Sequence, residues 1–293
     1  MKSIRRIMLS LSMGFLWIYT LLTLGYTGCS KTENRRSAAA DQSSIEQPWQ
    51  GQLVSADDRH LSVFLTRILE EAEIPQELAG HIQGLAAEGP AFLLDLLAVL
   101  EGDPYLRALV DKRHALPAGY EPDDLVELTN GSYQVSRRGL LLRRPAVMAL
   151  EEMAVAAQTD GVSLIASSTY RSYSYQETVY NRNVRESGQE TADRESARPG
   201  HSQHQLGLVV DFGSIDDSFA QTRAGRWIVA NAHLWGWSIS FPQGYEAITG
   251  YRWESWHYRY VGRELTYFID TYFNGIQQYA LQFIYHWEKA GGF

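Results

Sequence analysis

Two stretches decide how this chain folds and what it carries: Arg198-Pro199-Gly200-His201-Ser202-Gln203-His204-Gln205-Leu206-Gly207-Leu208-Val209-Val210-Asp211-Phe212 and Trp253-Glu254-Ser255-Trp256-His257-Tyr258-Arg259-Tyr260. Leu208 to Phe212 has the β-branched, apolar character of a buried strand. In the second stretch Trp256, Tyr258 and Tyr260 alternate with His257 and Arg259, so the aromatics share one strand face and the histidine and arginine the other. His204 and Asp211 are separated by an odd interval that would put them on opposite faces of a straight strand, and Gly207 between them offers the bend that lets them meet. His204, Asp211 and His257 then make a borderline-soft set of two imidazoles and one carboxylate. Such a set suits Zn2+ and leaves a fourth tetrahedral position open for water, which is the mark of a catalytic rather than a structural site.

Glu254 stands three residues before His257. On a turn entering the strand it reaches the metal's water without being a ligand, the placement a general base needs. The lesser alternatives are a surface bridge from Glu254 to Arg252 or Arg259 and, for His257 taken alone, a packed core histidine. Arg259, on the face of His257, is a candidate to orient the ligands from behind. Trp253, Trp256, Tyr258 and Tyr260 suit a core face better than a sugar-stacking platform, because one face of the strand must pack against a helix. Tyr251 reads as a pocket wall or a core residue.

Outward from these stretches the pattern alternates short strands and helices. Pro145 opens a helix with Val147, Met148, Leu150 and Ala154 inward, and Val162 to Thr169 is rich in β-formers. Ser174 and Glu177 have the spacing of a capping box for the next helix. The span from Asn181 to Arg198 is nearly all polar and reads as a solvated loop or lid beside the metal motif. Phe219 to Leu234 reads as one helix, Trp237 to Phe241 as a strand, and Arg263 to Lys289 as a helical C-terminal region. Upstream, Leu61, Phe64, Leu65 and Ile68 share a helical face, Pro75 opens a second helix, Gly89-Pro90 separates it from a third, and Asp103-Pro104 starts a short fourth. His60, His81 and His114 share no ligand spacing and read as surface or capping residues. The class expected is α+β: a small antiparallel sheet flanked by helices and carrying the zinc site, preceded by an all-helical subdomain. The divisions expected are 30–54 as a flexible tether, 55–116 as the helical subdomain, 117–264 as the metal-bearing domain and 265–293 as a C-terminal helical region.

The first 29 residues have the order of an export signal: Lys2, Arg5 and Arg6, then an apolar run from Ile7 to about Tyr26, then Cys29, the only cysteine. Leu24-Gly25-Tyr26-Thr27-Gly28-Cys29 resembles a bacterial lipobox, with Tyr26 as a departure, and the run is also long enough for an uncleaved anchor. Either reading places the protein in the cell envelope outside the cytoplasm, held to a bacterial membrane by a lipid or a signal anchor. One cysteine cannot form an internal disulfide, so packing and the metal must supply stability. A net charge of -8 speaks against a nucleic-acid partner, which calls for a basic face.

Three blocks carry a resemblance: Tyr170-Arg171-Ser172 with Gln176; Gly200 to Gly207 ending in Asp211; and Thr249-Gly250-Tyr251 through Glu254, Trp256 and His257 to Gly262. In this order and spacing they resemble the VanY-type D-alanyl-D-alanine carboxypeptidases, a family of zinc peptidases, over roughly residues 117–264. The resemblance implies zinc on His204, Asp211 and His257, Glu254 as catalytic base, and Arg171 stabilising the charge that develops on the scissile carbonyl. It also implies that Ser202 and Gln176 help hold the substrate terminus; Tyr251, as a pocket wall, is a further substrate-binding candidate. Two positions depart from the family pattern: Ser255 stands where proline is usual, and Val209 where alanine is usual. The implied function is removal of the terminal D-alanine from peptidoglycan stem peptides. The alternatives are an L,D-carboxypeptidase or endopeptidase on the same polymer, and a non-catalytic wall-binding lipoprotein.

Overall fold

The computed structural model describes residues 56–292, so the expected signal segment, lipobox and tether lie outside the described residues. Thr66–Ala290 form one compact unit; residues 56–65 and 291–292 are the described part of another. Ten helices are described: α1 (Ala56–Glu71), α2 (Gln76–Ala87), α3 (Ala91–Glu101), α4 (Arg144–Thr159), α5 (Tyr173–Ser187), α6 (Gln189–Glu195), α7 (Arg223–Asn231), α8 (Glu246–Thr249), α9 (Arg263–Tyr272) and α10 (Gln277–Lys289). The strands are β1 (Leu125–Glu127), β2 (Gln134–Val135), β3 (Leu141–Arg143), β4 (Ile165–Ser168), β5 (Val209–Phe212), β6 (Trp237–Ile239) and β7 (His257–Tyr260). This is the expected α+β class.

The main sheet has the order β2-β4-β5-β7-β6. Every neighbouring pair in it is antiparallel except β2 with β4, a short parallel edge that no alternation in the sequence announces. β1 and β3 form a separate antiparallel pair. In β5 and β7 the side-chain alternation divides two environments. Val210, Phe212 and Tyr258 join Leu150, Met153, Leu164 and Trp237 in the main core, each such buried side chain contributing roughly 1.5–3 kcal/mol. Val209, Asp211, His257 and Arg259 occupy the alternate positions, which face the other way. Trp256 and Tyr258 are core residues and Tyr260 packs against them, as the strand pattern implies.

Several local expectations are corrected. α4 buries Ala146, Ala149, Leu150, Met153, Ala154 and Ala157, whereas Met148 is 59% exposed, because the helical stripe runs one position away from it. α5 is capped by Ser172, whose hydroxyl accepts from the Tyr175 amide at 3.2 Å, and not by Ser174, which sits inside the first turn. Most of the polar span from Asn181 to Arg198 is helical, in the end of α5 and in α6, split at Gly188. Residues 219–234 comprise α7 flanked by 3-10 turns rather than one helix. Asp103-Pro104 begins turns, not a helix. The C-terminal region breaks into α9 and α10 at Asn274 and Gly275, both left-handed, with φ of 52° and 75°.

α3 packs on this C-terminal pair. The Phe92 ring lies 5.6 Å from Phe268, 5.0 Å edge-on from Tyr272 and 5.9 Å from Phe283. Asp95 accepts a 2.7 Å hydrogen bond from the Tyr272 hydroxyl. Arg259 is fully buried, and its guanidinium donates to the carbonyls of Tyr105, Leu106 and Ala108. It therefore fastens the metal-bearing strand to the segment after α3 and does not orient the metal ligands. Burial pushes this guanidinium down to about 9.

Candidate metal centre

Asp211 and His257 are directly opposed in the β5–β7 ladder, so their side chains meet on one face of the sheet. His204 arrives from a 3-10 turn, Gln203–Leu206, that ends at Gly207 with φ of 68°. A Cβ on Gly207 would lie 2.9 Å from Leu125 Cδ2 and 3.0 Å from Arg143 Cγ, so both the backbone conformation and the close approach call for glycine. Together His204, Asp211 and His257 offer ligand atoms within 4.8 Å of one another, all three residues buried. Glu254 does not belong to that group, so among the described residues no fourth protein ligand joins it.

The partners of these atoms fit a metal. His204 Nδ1 donates to the Thr169 carbonyl at 2.7 Å, which fixes the tautomer and leaves the Nε2 lone pair facing Asp211 Oδ2, 3.3 Å away. His257 Nδ1 is 3.1 Å from Asp211 Oδ1 and 3.3 Å from Glu254 Oε2. On its other side His257 Nε2 faces Gln203 Oε1 at 3.4 Å, and the same oxygen accepts from the Ser240 hydroxyl. Asp211 Oδ1 is buried with no partner in hydrogen-bond geometry. A buried anionic oxygen without a hydrogen-bond donor, beside one imidazole nitrogen while its twin oxygen faces the other, is what a dication would satisfy. The same crowding sets the acidity of these groups. Burial, then Arg171, pushes His204 down to about 4. Burial also works against charge on His257, but the carboxylates of Asp211 and Glu254 hold it up at about 9. Burial opposes the charge on Asp211 too, yet the two histidines keep its carboxyl well below the usual carboxylate range.

Arg171 reaches the same group from the loop before α5. One terminal nitrogen donates to Asp211 Oδ2 at 3.0 Å and to Ser168 Oγ at 2.9 Å, and the other faces Gln176 Oε1 at 3.4 Å. The Arg171 side chain keeps 20% exposure, so part of the guanidinium faces the cleft. Glu254, 12% exposed, sits on a turn closed by the His257 amide and the Glu254 carbonyl. Ser255 in that turn has a buried hydroxyl with no partner, at the position where a proline would leave nothing to satisfy.

These groups lie in a cleft of about 430 Å³ that Ser202 and Tyr251 also line. The Tyr251 hydroxyl is buried without a partner, burial raises its pKa, and Lys112 Nζ lies 3.5 Å over its ring. Gln176 does not line the cleft. It is 1% exposed, its amide donates to the Ala197 carbonyl at 2.7 Å, and its oxygen faces Arg171. That placement corrects the expectation that it touches substrate: Gln176 positions Arg171 instead. Thr169, Gln203 and Ser168 orient the site without having been singled out. Gln203 stood inside the quoted motif, but a backbone carbonyl such as that of Thr169 leaves no signal in side-chain identity. His201 lines the cleft with Nδ1 on the Asp111 carbonyl, and His114 pairs with Asp111 at 2.8 Å; neither approaches the metal group.

A mixed sheet presenting two histidines and an aspartate at the floor of a cleft, with a glutamate beside them, defines a metal-dependent hydrolase. Residues 139–263 match the model of the VanY family of D-alanyl-D-alanine carboxypeptidases. The chain is 36% identical to YodJ of Bacillus subtilis over 58% of its own length, and this alignment spans 65% of YodJ. It is 32% identical to a D-alanyl-D-alanine carboxypeptidase of Enterococcus faecalis, over 68% of this chain and 76% of that one. Among solved structures, the LD-carboxypeptidase LdcB is 34% identical, with a TM-score of 0.53, covering 58% of this chain and 86% of that one. A variant of the vancomycin-resistance D,D-pentapeptidase VanY in complex with Zn(II) is 30% identical, with a TM-score of 0.50, covering 60% and 98%. The chain belongs to the VanY family and is a zinc metallo-carboxypeptidase.

Proposed function

We propose that this protein removes the terminal D-alanine from peptidoglycan stem peptides by hydrolysing the bond between two D-alanines. The observation that carries this reading is a carboxylate, Glu254, beside a buried triad of His204, Asp211 and His257 at the floor of an open cleft. Zinc, when held by the triad, supplies a Lewis acid that acidifies water and polarises a carbonyl. Glu254 takes the proton from the attacking water and passes it to the leaving amine. Arg171, held by Ser168 and Gln176, offers a fixed cation to the carbonyl oxygen as it becomes negative. Ser202 and the unpartnered Tyr251 hydroxyl provide hydrogen bonds to the terminal carboxylate. Arg171→Ala should lower kcat by about 100-fold or more while zinc content stays unchanged; an unaltered kcat would remove Arg171 from the reaction.

A second reading, cleavage of an L,D bond, is favoured by the likeness to the LD-carboxypeptidase LdcB. Purified protein incubated with synthetic pentapeptide and tetrapeptide stems, with and without chelator, separates the two. Loss of one D-alanine from the pentapeptide alone, abolished by chelator, is the expected result. Release from the tetrapeptide alone would replace the D,D reading with the L,D one.

The N-terminal order of basic residues, apolar run and Cys29 supports a location outside the cytoplasm on a bacterial membrane, close to this polymeric substrate. The mass of the mature protein from a bacterial host should show a lipid on Cys29 as the first residue. An unmodified N-terminus would remove the lipid anchor from this reading.

A further inference from the structure

Four arginines and three carboxylates line the cleft, although acidic residues outnumber basic ones by 34 to 26 in the chain as a whole. Two of the arginines are engaged. Arg171 is on Asp211, and Arg252 is held at 2.7 Å by Asp217. The other two, Arg137 and Arg182, are exposed and have no carboxylate partner among the described residues. They come from different elements. Arg182 extends a cleft-lining face of α5 that begins with Tyr175 and Val179, at helical spacing. Arg137 follows the edge strand β2, where Ser136 is tied through its amide and hydroxyl to the backbone of Ala166 and Ser167.

Their exposure, against the burial of the metal group, says which part of a substrate they can meet. The metal group is buried at the floor, whereas Tyr175 at 49% and Ile215 at 50% exposure mark the rim. In a carboxypeptidase one residue follows the reacting bond, so a substrate group at the rim belongs to the chain that precedes it. An isolated surface arginine needs no ligand, since most stand in water. Two that line one cleft of a net-acidic protein without a carboxylate partner among the described residues make a complementary field for an anion.

We propose that Arg137 and Arg182 form a carboxylate subsite, so that this enzyme prefers stem peptides bearing a free carboxylate upstream of the terminal residue over the same peptides with that group amidated. The proposal rests on the carboxypeptidase reading above and deepens it. The guanidinium fork matches a carboxylate in two hydrogen bonds, and its exposure makes the attraction moderate and sensitive to salt.

The test compares two synthetic peptides ending in D-alanyl-D-alanine that differ only in a free or amidated upstream carboxylate. Zinc-loaded full-length protein is measured by kcat/KM and by calorimetric binding. The expected kcat/KM ratio is about tenfold in favour of the acid, shrinking at high salt. In the double variant Arg137→Ala, Arg182→Ala the ratio should fall to about one while turnover of the amidated peptide is unchanged, since neither arginine contacts the reacting atoms. Equal kcat/KM and equal binding of the two peptides by the unaltered protein would overturn the subsite, as would a ratio that survives in the double variant. Tighter binding of the acid peptide without hydrolysis of either would uphold the subsite while sinking the D,D reading.

Discussion

Glu254→Gln is expected to lower kcat by about 10²- to 10⁴-fold, the span a positioned acid–base group supplies, with zinc content unchanged. The amide keeps the size of the carboxylate, and the backbone bonds of Glu254 to Phe241 and His257 do not involve its side chain, so the turn that carries it should persist. What disappears is basicity at an oxygen 3.3 Å from His257 Nδ1. Because Glu254 lies outside the three-residue ligand group, its loss should not unseat the metal. Single-turnover hydrolysis of a stem pentapeptide, with metal analysis of the same sample, reads both halves. Near-normal hydrolysis by a zinc-replete variant would refute the base assignment; loss of zinc with activity would make Glu254 a ligand.

The strands that hold the site were legible, and their pairing was not. Val209 to Phe212 and His257 to Tyr260 announce themselves by composition and alternation. That Asp211 stands opposite His257 is a property of ladder register, fixed by which face each strand buries and invisible in either strand alone. The family resemblance, not periodicity, brought Arg171 beside them. The polar span after Asn181 misled because its cleft-lining positions there, Arg182 and Asn183, are polar, and Val184 and Ala192 alone are too few to make an apolar stripe over the two helical segments. The contacts of Phe92 with Phe268 and Phe283, and of Arg259 with the carbonyls of Tyr105 to Ala108, span well over a hundred residues, beyond anything a local pattern reports.

His204→Ala is expected to lose zinc and activity together. The substitution removes one of three ligands and strands the Thr169 carbonyl, whose donor was His204 Nδ1. A partner that only orients a ligand is worth about 10- to 100-fold in metal affinity, so removing the ligand itself should exceed that. Thermal unfolding reads the loss independently of turnover. Zinc at about 100 times its Kd stabilises the folded state by about 2.7 kcal/mol, which for a unit of this size raises Tm by roughly 5–10 °C. The unaltered protein should show that rise, and the variant should show none. The metal-free proteins should also differ in their response to acid. In the unaltered chain the His204 ring is held down to about 4, below its unfolded value of about 6.5, so it stays neutral in the folded state while the unfolded chain takes up a proton. Its contribution is therefore present above pH 6.5 and is lost as pH falls from there toward 4. Without the imidazole this part of the acid loss disappears, and the Tm of the metal-free variant should be flatter over that window. A variant that keeps its zinc and its thermal response to the metal would show that His204 is not a ligand, and the proposed centre would lose its first donor.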